Sequence, residues 1–317
     1  MEGERVHVHA SGAHQLGQLA EPGTYFTLRA GDVPLVVVRD REGALAAFVN
    51  VCRHRGAEVV SGAGRCTTLQ CHYHAWTYGL DGALRAAPRA DGSLDRSELG
   101  LRGAQVDTWG PFIFVNADAH APPLADTLGA LPSLVHDGGI DVDALAFHSR
   151  APYSLEANWK VAVENFLECY HCAVAHPGFS EVVDVAPDSY RLEPHPTFAS
   201  HHVQLREGDG RGQFHMIWPN IKVNVMPGRP NLSIGPLVPV EPGRTDGFLD
   251  YFFGPAADPG WVADYLALDD QVGAEDRALV ESVQRGIRSR AFERGRLMLP
   301  SEELIADFQR WVAAGLD

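Results

Sequence analysis

Short apolar runs separated by glycine-containing turns dominate the first part of the chain. The runs are rich in β-branched and aromatic residues, which favour strands over helices. We predict strands at residues 25–28, 33–38, 45–51, 67–71 and 112–116. Strands this short and this closely spaced are typical of a small antiparallel barrel or sandwich. The pattern therefore predicts an all-β domain, to which we assign residues 1–118.

The pattern changes near residue 147, where segments with helical periodicity alternate with strand-like stretches. Helical periodicity covers residues 159–173, 259–290 and 301–314. Strand-like stretches cover residues 148–155, 198–205, 215–226, 232–240 and 247–253. This order predicts an α+β domain in which helices pack against an antiparallel sheet. We assign it to residues 119–317.

The 317-residue chain carries a formal net charge of −15, from 26 basic and 41 acidic residues. Such a chain repels nucleic-acid phosphates and anionic lipid surfaces, so we expect neither as a partner. No apolar run reaches the roughly 18–20 residues that span a bilayer. The polar N-terminus lacks the apolar core of a signal peptide, which predicts a cytoplasmic protein.

The chain has five cysteines, an odd number, in a long sequence without an export signal. This combination argues against a disulfide framework. We expect Cys66 to be a buried thiol that binds no metal. Cys169 and Cys172 are assigned to packing, with thiolate metal binding as the alternative.

Two other cysteines alternate with histidines in the predicted all-β domain. Cys52-x-His54 is followed, after a gap of sixteen residues, by Cys71-x2-His74. Two Cys and two His can hold one tetrahedral zinc ion. They can also hold a 2Fe–2S cluster with both cysteines on one iron and both histidines on the other. Because each arm supplies one Cys and one His, the spacing favours the cluster; structural zinc and a chance grouping are the alternatives.

A second group of metal-binding residue types lies in the predicted α+β domain. Glu164, Glu168 and His171 recur at i, i+4 and i+7, within about 60° of one face of a helix. His176 lies about 140° from His171 on an ideal helix, but Pro177 follows and allows the helix to end. Two imidazoles and one carboxylate form the facial triad of non-haem Fe(II) oxygenases. The segment predicts a mononuclear iron site, with a solvated acidic face as the alternative.

Together the two motifs resemble the catalytic α subunits of Rieske non-haem iron oxygenases. The segment from Asn158 to His176, with its Asn-Trp-Lys opening and its Glu-Cys-Tyr-His-Cys centre, is most similar to the branch of choline, glycine-betaine and carnitine monooxygenases. Many ring-hydroxylating members carry Asp where this chain has Glu168, which weakens the aromatic dioxygenase interpretation. The resemblance implies a Rieske 2Fe–2S domain followed by a catalytic domain of the helix-grip type.

By this resemblance, His171 and His176 would bind the mononuclear Fe(II) together with an Asp from a C-terminal helix. Asp276 matches that ligand and Asp269 is the runner-up, while a buried salt bridge from Asp276 to an arginine is the alternative. An acid inside an apolar stripe must be paired or metal-bound, because burying a bare carboxylate is costly. The apolar residues of the stripe around Asp276 are Val272, Leu279, Val280, Val283 and Ile287.

The resemblance also implies roles for two glutamates. Glu168 would bind no iron and would instead be an electron-transfer bridge between His171 and the Rieske histidine His74 of a neighbouring subunit, in a homotrimer. Glu164 would not bind the iron itself and would lie among the residues that surround the iron ligands. A separate flavin/iron–sulfur reductase would supply electrons from NADH or NADPH.

The implied reaction is an O2-dependent hydroxylation or oxidative demethylation, as a monooxygenase or dioxygenase, of a small organic substrate. A quaternary ammonium compound is one candidate, and a small aromatic acid or ether is the alternative substrate. An iron–sulfur electron-transfer protein without oxygenase activity is the alternative from another class. Five residues are candidates for the substrate pocket, although they could equally be the core of a curved sheet: Phe214, His215, Trp218, Asn220 and Asn224.

Overall fold

The computed structural model describes residues 8–11, 19–90 and 94–315. The chain divides into two compact units, Met1–Leu124 and Ala125–Asp317. The domain boundary after residue 118 stays a prediction.

The first unit is built from β-strands, as the spacing of the apolar runs predicts. Its larger sheet contains β1 (Val8–Ser11), β2 (Thr24–Ala30), β3 (Val33–Arg39), β4 (Leu45–Val49), β5 (Ala63–Arg65), β9 (Gly103–Trp109) and β10 (Phe112–Asn116). These strands are antiparallel and lie in the order β1-β10-β9-β4-β3-β2-β5. A smaller sheet contains β6 (Leu69–Gln70), β7 (Thr77–Tyr78) and β8 (Leu84–Ala86). Strand β9 lacks an apolar run because none of its residues is fully buried, and the sequence pattern missed it.

Strand β3 forms the centre of this unit, since four successive residues, 35–38, are completely buried. Alternate side chains of a strand point to opposite faces. Leu35 and Val37 therefore belong to one apolar cluster, and Val36 and Val38 belong to another. The second cluster also contains Cys52 and Cys71, so packing in the core brings the two cysteines into one cluster.

The second unit is an antiparallel sheet with helices, which confirms the predicted α+β class. Its strands are β11 (Ala146–Leu155), β12 (Arg191–Pro194), β13 (Phe198–Gln204), β14 (Arg211–Ile217), β15 (Ile221–Val225), β16 (Asn231–Glu241) and β17 (Arg244–Phe253), in the order β11-β17-β16-β15-β14-β13-β12. The strand predicted at 215–226 is in fact the hairpin of β14 and β15. A turn at residues 218–220 separates them, and there the side chain of Asn220 donates to the carbonyl of Leu237 (2.7 Å).

The α-helices of the described residues are α1 (Leu124–Leu128), α2 (Leu131–Asp137), α3 (Trp159–Phe166), α4 (Cys172–Ala175), α5 (Pro177–Val182), α6 (Pro259–Arg288) and α7 (Glu303–Ala314). The prediction of one continuous helix over residues 159–173 is therefore wrong, because residues 167–171 interrupt it. Within the described ranges, no helix combines the length and the apolar character needed to cross a bilayer.

The long helix α6 is tied to the start of α3. Gln284 of α6 is buried, and its side chain accepts a hydrogen bond from the N–H of Asn158 (2.7 Å). The apolar stripe predicted on this helix is only partly buried. Val280 packs in the core, whereas Val283 and Ile287 are 49% and 42% exposed. Helical spacing therefore identified the buried face correctly at Val272 and Val280 but not near the C-terminal end of the helix.

Candidate metal centres

Two loops of the first unit present the Cys–His pairs, and the loops are built alike. The N–H of Gly56 donates to the carbonyl of Cys52, and the N–H of Ala75 donates to the carbonyl of Cys71, both at 3.0 Å. In each loop the cysteine N–H also donates to the carbonyl five residues on, at 2.8 Å. Gly56 and Ala75 have positive φ, +77° and +56°, at equivalent positions. The backbone thus places the two pairs as matching halves of one site.

In both pairs the cysteine is buried and the histidine is exposed. Cys52 and Cys71 are 3% and 2% exposed, whereas His54 and His74 lie at the surface with their ring centroids 4.6 Å apart. The hydroxyl of Tyr78 lies 3.3 Å from the Cys52 Sγ. This arrangement fits a cluster whose inner iron takes thiolates and whose outer iron takes imidazoles.

A single zinc ion fits these pairs less well. Zinc bonds of about 2.0–2.3 Å would draw all four donor atoms to within about 4 Å of one another. Among the residues that the structure describes, three candidate donors come within 4.8 Å of one another only in the second unit. The Cys–His pairs are therefore spaced for a group larger than one ion. Cys66 is a free thiol that is only partly buried, and burial raises its pKa.

The compact donor group of the second unit consists of His171, His176 and Asp276. The Nε2 atoms of the two histidines are 3.1 Å apart, and the Asp276 Oδ1 lies 3.5 Å and 3.1 Å from them. Metal bonds of about 2.1 Å that meet at right angles put their donor atoms about 3.0 Å apart. The three donors thus have the spacing of one face of an octahedron, the arrangement of a 2-His-1-carboxylate iron site.

The interruption between α3 and α4 positions His171. The Glu168 carboxylate accepts hydrogen bonds from the N–H groups of Tyr170 and His171, so these groups do not continue the helix. His171 immediately precedes α4, and His176 lies between α4 and α5. A continuous helix would place residues five apart on different faces. Here the interruption brings the rings of His171 and His176 edge to face, with their centroids 5.0 Å apart.

Carboxylates fix the far side of both imidazoles. The Nδ1 of His171 bonds to the Glu168 carboxylate, and the Nδ1 of His176 bonds to the Glu275 carboxylate at 2.8 Å. A carboxylate at Nδ1 holds the proton there and leaves the Nε2 lone pair for a metal. On the third donor, Asn165 donates to the Asp276 Oδ1 (2.7 Å). Glu275 and Asn165 were not assigned roles from the sequence, although Glu275 adjoins the predicted ligand.

These contacts shift the pKa values of the donors. Burial alone would lower the pKa of His171, but hydrogen bonds to Asp276 and Glu168 outweigh it and raise that pKa to about 9. The pKa of His176 is raised for the same reason, by Asp276 and Glu275. Burial would raise the pKa of Asp276, yet its hydrogen bonds to the two histidines hold it well below the usual range. A metal must displace protons from such donors, so binding weakens as the pH falls.

A cavity of about 140 Å³ adjoins the three donors. Of the five predicted pocket residues, the structure places Phe214 and Asn224 in its wall. The remaining cavity residues include Phe166, Phe179, Tyr190, Lys222, Met226 and Asp269.

The other three predicted pocket residues lie elsewhere. His215 is fully buried on the opposite face of β14, with Nδ1 bonded to Ser200 Oγ (2.8 Å). Trp218 packs against the rings of Trp159, Phe308 and Trp311. Asn220 serves the turn between β14 and β15. His215 and Trp218 are therefore core residues, and Asn220 is a turn residue. A place in the core of the sheet was the alternative to a place in the pocket.

Several other predicted residues also lie outside the donor group. Glu164 accepts a hydrogen bond from Gln309 of α7 (2.9 Å). Asp269 lines the cavity but accepts from the Tyr251 hydroxyl (2.5 Å). Within the described residues, no arginine pairs with Asp276, whose partners are the two imidazoles and an amide. The packing assignment of Cys169 and Cys172 is incomplete, since the two form a disulfide next to the site.

The architecture agrees with the comparisons to known proteins. The family model of the Rieske [2Fe-2S] domain matches residues 12–105. That of the catalytic domain of the ring hydroxylating alpha subunit matches residues 142–208 and 191–317. The chain belongs to the Rieske oxygenases.

Relatives of this Rieske oxygenase include monooxygenases of known substrate. It is 33% identical to the carnitine monooxygenase oxygenase subunit of Acinetobacter pittii, over 93% of this chain and 85% of that protein. It is 32% identical to the chloroplastic choline monooxygenase of Arabidopsis thaliana, over 89% of this chain and 71% of that protein. Among solved structures, the quaternary ammonium Rieske monooxygenase CntA superposes with a TM-score of 0.84 at 33% identity, over 98% of this chain and 87% of that one.

The family membership establishes the cofactors and the reaction class. This Rieske oxygenase uses a 2Fe–2S cluster in its first domain and a mononuclear iron in its second, and it is the terminal oxygenase of its system. Naphthalene 1,2-dioxygenase, at 20% identity and a TM-score of 0.74, shares the fold.

Proposed function

We propose that this Rieske oxygenase acts on a quaternary ammonium compound, by hydroxylation next to nitrogen or by oxidative demethylation. The observation that carries the proposal is a three-donor iron site that opens onto a cavity with aromatic walls. Ring faces attract ammonium groups that shed their water, at distances up to about 6 Å. The relatives named for carnitine and choline point the same way.

We further propose the ligand assignment. Cys52 and Cys71 would hold the inner iron of the cluster and His54 and His74 the outer iron, while His171, His176 and Asp276 would hold the mononuclear iron. The bound metals supply one-electron transfer and the activation of O2. The chain's own contribution is to hold protons at Nδ1 of both iron-site imidazoles and to aim the Nε2 atoms at one point.

Glu168 is proposed as the bridge between subunits of a homotrimer. Its carboxylate already bonds His171, and its side chain is 10% exposed, next to the 60% exposed Tyr170. His74 is exposed on the Rieske unit and could reach the same carboxylate from a neighbouring subunit. A shared carboxylate orients both imidazoles. Electrons would come from NADH or NADPH through a separate flavin/iron–sulfur reductase, and the proposed location of both proteins is the cytoplasm.

A substrate screen with the purified, reconstituted oxygenase and a surrogate reductase tests the proposed activity. Hydroxylation of a carbon next to a quaternary nitrogen yields an unstable product that collapses to a tertiary amine and an aldehyde, which is formaldehyde when a methyl group is attacked. We expect quaternary ammonium compounds to drive O2 uptake with stoichiometric amine and aldehyde. If only methoxylated aromatic acids drive O2 uptake, with release of a phenol and formaldehyde, the aromatic alternative replaces this proposal. Reduction of the cluster without substrate-dependent O2 uptake would favour the electron-transfer alternative.

Glu275→Gln is expected to weaken iron binding about 10–100-fold, because it removes the carboxylate that holds the proton on His176 Nδ1. Anaerobic titration of metal-free protein with Fe(II), at constant cluster content, measures this loss. Glu281→Gln on the same helix, whose carboxylate accepts from the N–H of Glu156 instead (3.1 Å), is the control. Equal iron affinity in wild type and Glu275→Gln would show that Glu275 does not support the site.

A further inference from the structure

The cavity wall contributed by β15 is polar at two alternate positions. Lys222 and Asn224 line the cavity, whereas Ile221, Val223 and Val225 are buried. The alternation follows from the two faces of a strand. Strand β15 lies inside the sheet, paired on both sides, where a lysine is an unusual choice. The chain contains only one other lysine, Lys160.

Lys222 faces rings and has no close counter-ion. Its Nζ lies 5.0 Å from the centroid of the Tyr153 ring and 5.7 Å from that of Phe166. Among the described residues, no carboxylate lies within 4 Å of this ammonium group, and Asp269 of the same cavity interacts with it only through space. Lys222 is the only Lys or Arg in the described cavity wall. A partly buried ammonium without a paired anion is costly, and an arriving anion would remove that cost.

The carboxylates of the cavity are engaged with other groups. Glu168 and Asp276 bond the iron-site imidazoles, and Asp269 accepts from the Tyr251 hydroxyl. Beside Lys222, the amide of Asn224 is 6% exposed, and its Oδ1 has no hydrogen-bond partner, while its Nδ2 donates to Ser233 (3.1 Å). The unpaired Asn224 Oδ1 is an acceptor and does not bind an anion, so Lys222 is the group at this end of the cavity that attracts a carboxylate.

We propose that Lys222 binds a carboxylate of the substrate and selects substrates that carry one. The inference rests on the proposed function, since it places the substrate in the cavity beside the iron donors. Together with the aromatic walls, it makes the preferred substrate a zwitterion with a quaternary ammonium group and a carboxylate.

Two pairs of probes separate the acid from the rest of the ligand. The first pair is 4-(trimethylammonio)butanoate and (4-hydroxybutyl)trimethylammonium; the second is 4-methoxybenzoate and 4-methoxybenzyl alcohol. Anaerobic calorimetry on the iron-loaded oxygenase measures binding without turnover. We expect Lys222→Met to weaken binding of the ammonium acid about 10–100-fold and of the alcohol less than about 3-fold. Lys222→Arg should keep most of the affinity for the acid.

Control variants distinguish a loss of carboxylate recognition from a general loss of structure. Lys160→Met makes the same change at an exposed lysine outside the cavity and should alter neither affinity. Unchanged binding of the acid by Lys222→Met, or equal weakening for acid and alcohol, overturns the inference. So does a wild-type protein that binds neither acid. If the wild type binds only the aromatic acid, and Lys222→Met loses it selectively, then Lys222 keeps its role and the quaternary ammonium proposal fails.

Discussion

Replacing His176 or Asp276 with alanine should strip the mononuclear iron from the protein and leave the Rieske spectrum intact. Each change removes one of three donor atoms that lie 3.1–3.5 Å apart, and the other two cannot complete the face. Losing a group outside the ligands costs about 10–100-fold in affinity, so losing a ligand should cost more. We expect about one iron fewer per chain by metal analysis, and no measurable product.

Two further variants show whether the assignment is specific. Asp269→Ala removes a different cavity carboxylate, which accepts from the Tyr251 hydroxyl and does not contact the histidines, and should retain iron. Cys71→Ser should give the reverse pattern, with the visible absorption of the cluster lost and the mononuclear iron retained. Loss of iron in Asp269→Ala would identify that residue as the ligand. Retention of the visible spectrum in Cys71→Ser, with zinc found by analysis, would overturn the cluster assignment.

Glu168→Gln should abolish product formation while iron and cluster contents, measured at saturating iron, stay at wild-type values. Glutamine keeps an oxygen that can accept from the N–H groups of Tyr170 and His171, so the interruption after α3 is preserved. It removes the charge that the proposed bridge needs. Glu275→Gln is a matched variant, since it changes the equivalent contact on the other imidazole. Turnover should be at least about 100-fold lower in Glu168→Gln than in Glu275→Gln. Both variants lose a carboxylate that orients an imidazole, so loss of orientation cannot account for this difference.

Mixed trimers test whether that bridge joins two chains. A Glu168→Gln subunit keeps its own His74, and a His74→Ala subunit keeps its own Glu168. When the two are assembled together at verified stoichiometry, some interfaces pair an intact His74 with an intact Glu168. Partial recovery of turnover, absent from either parent, supports transfer between subunits. Mixed trimers that stay inactive would contradict the inter-subunit route.

The sequence predicted both donor sets but misjudged how the chain presents one of them. The i, i+4, i+7 spacing of Glu164, Glu168 and His171 assumes an unbroken helix. Periodicity does not show that the Glu168 carboxylate accepts hydrogen bonds from two backbone N–H groups, which interrupts the helix. The break turns Glu168 toward His171 and leaves Glu164 bonded to Gln309 of α7, a contact 145 residues away in sequence.

The pocket residues show a second limit of reading a strand pattern. Treating residues 215–226 as one strand misses the turn at 218–220, which takes Trp218 and Asn220 out of the strand. Strand alternation by itself puts Phe214, Lys222 and Asn224 on one face and His215 on the other, as the structure has them. Counting along the strand therefore excludes His215 from the pocket, whereas only knowledge of the turn excludes Trp218 and Asn220.

The donors of the compact site come from segments 100 residues apart, the α4–α5 region and the middle of α6. An unfolded chain cannot bring these atoms together, so iron binds the native state alone and shifts the folding equilibrium. At free iron a hundredfold above its dissociation constant, this linkage stabilises the native state by about 2.7 kcal/mol. A cell short of iron would therefore hold this enzyme closer to its unfolding threshold, where proteases remove it, and the iron supply would set the abundance of the protein as well as its activity.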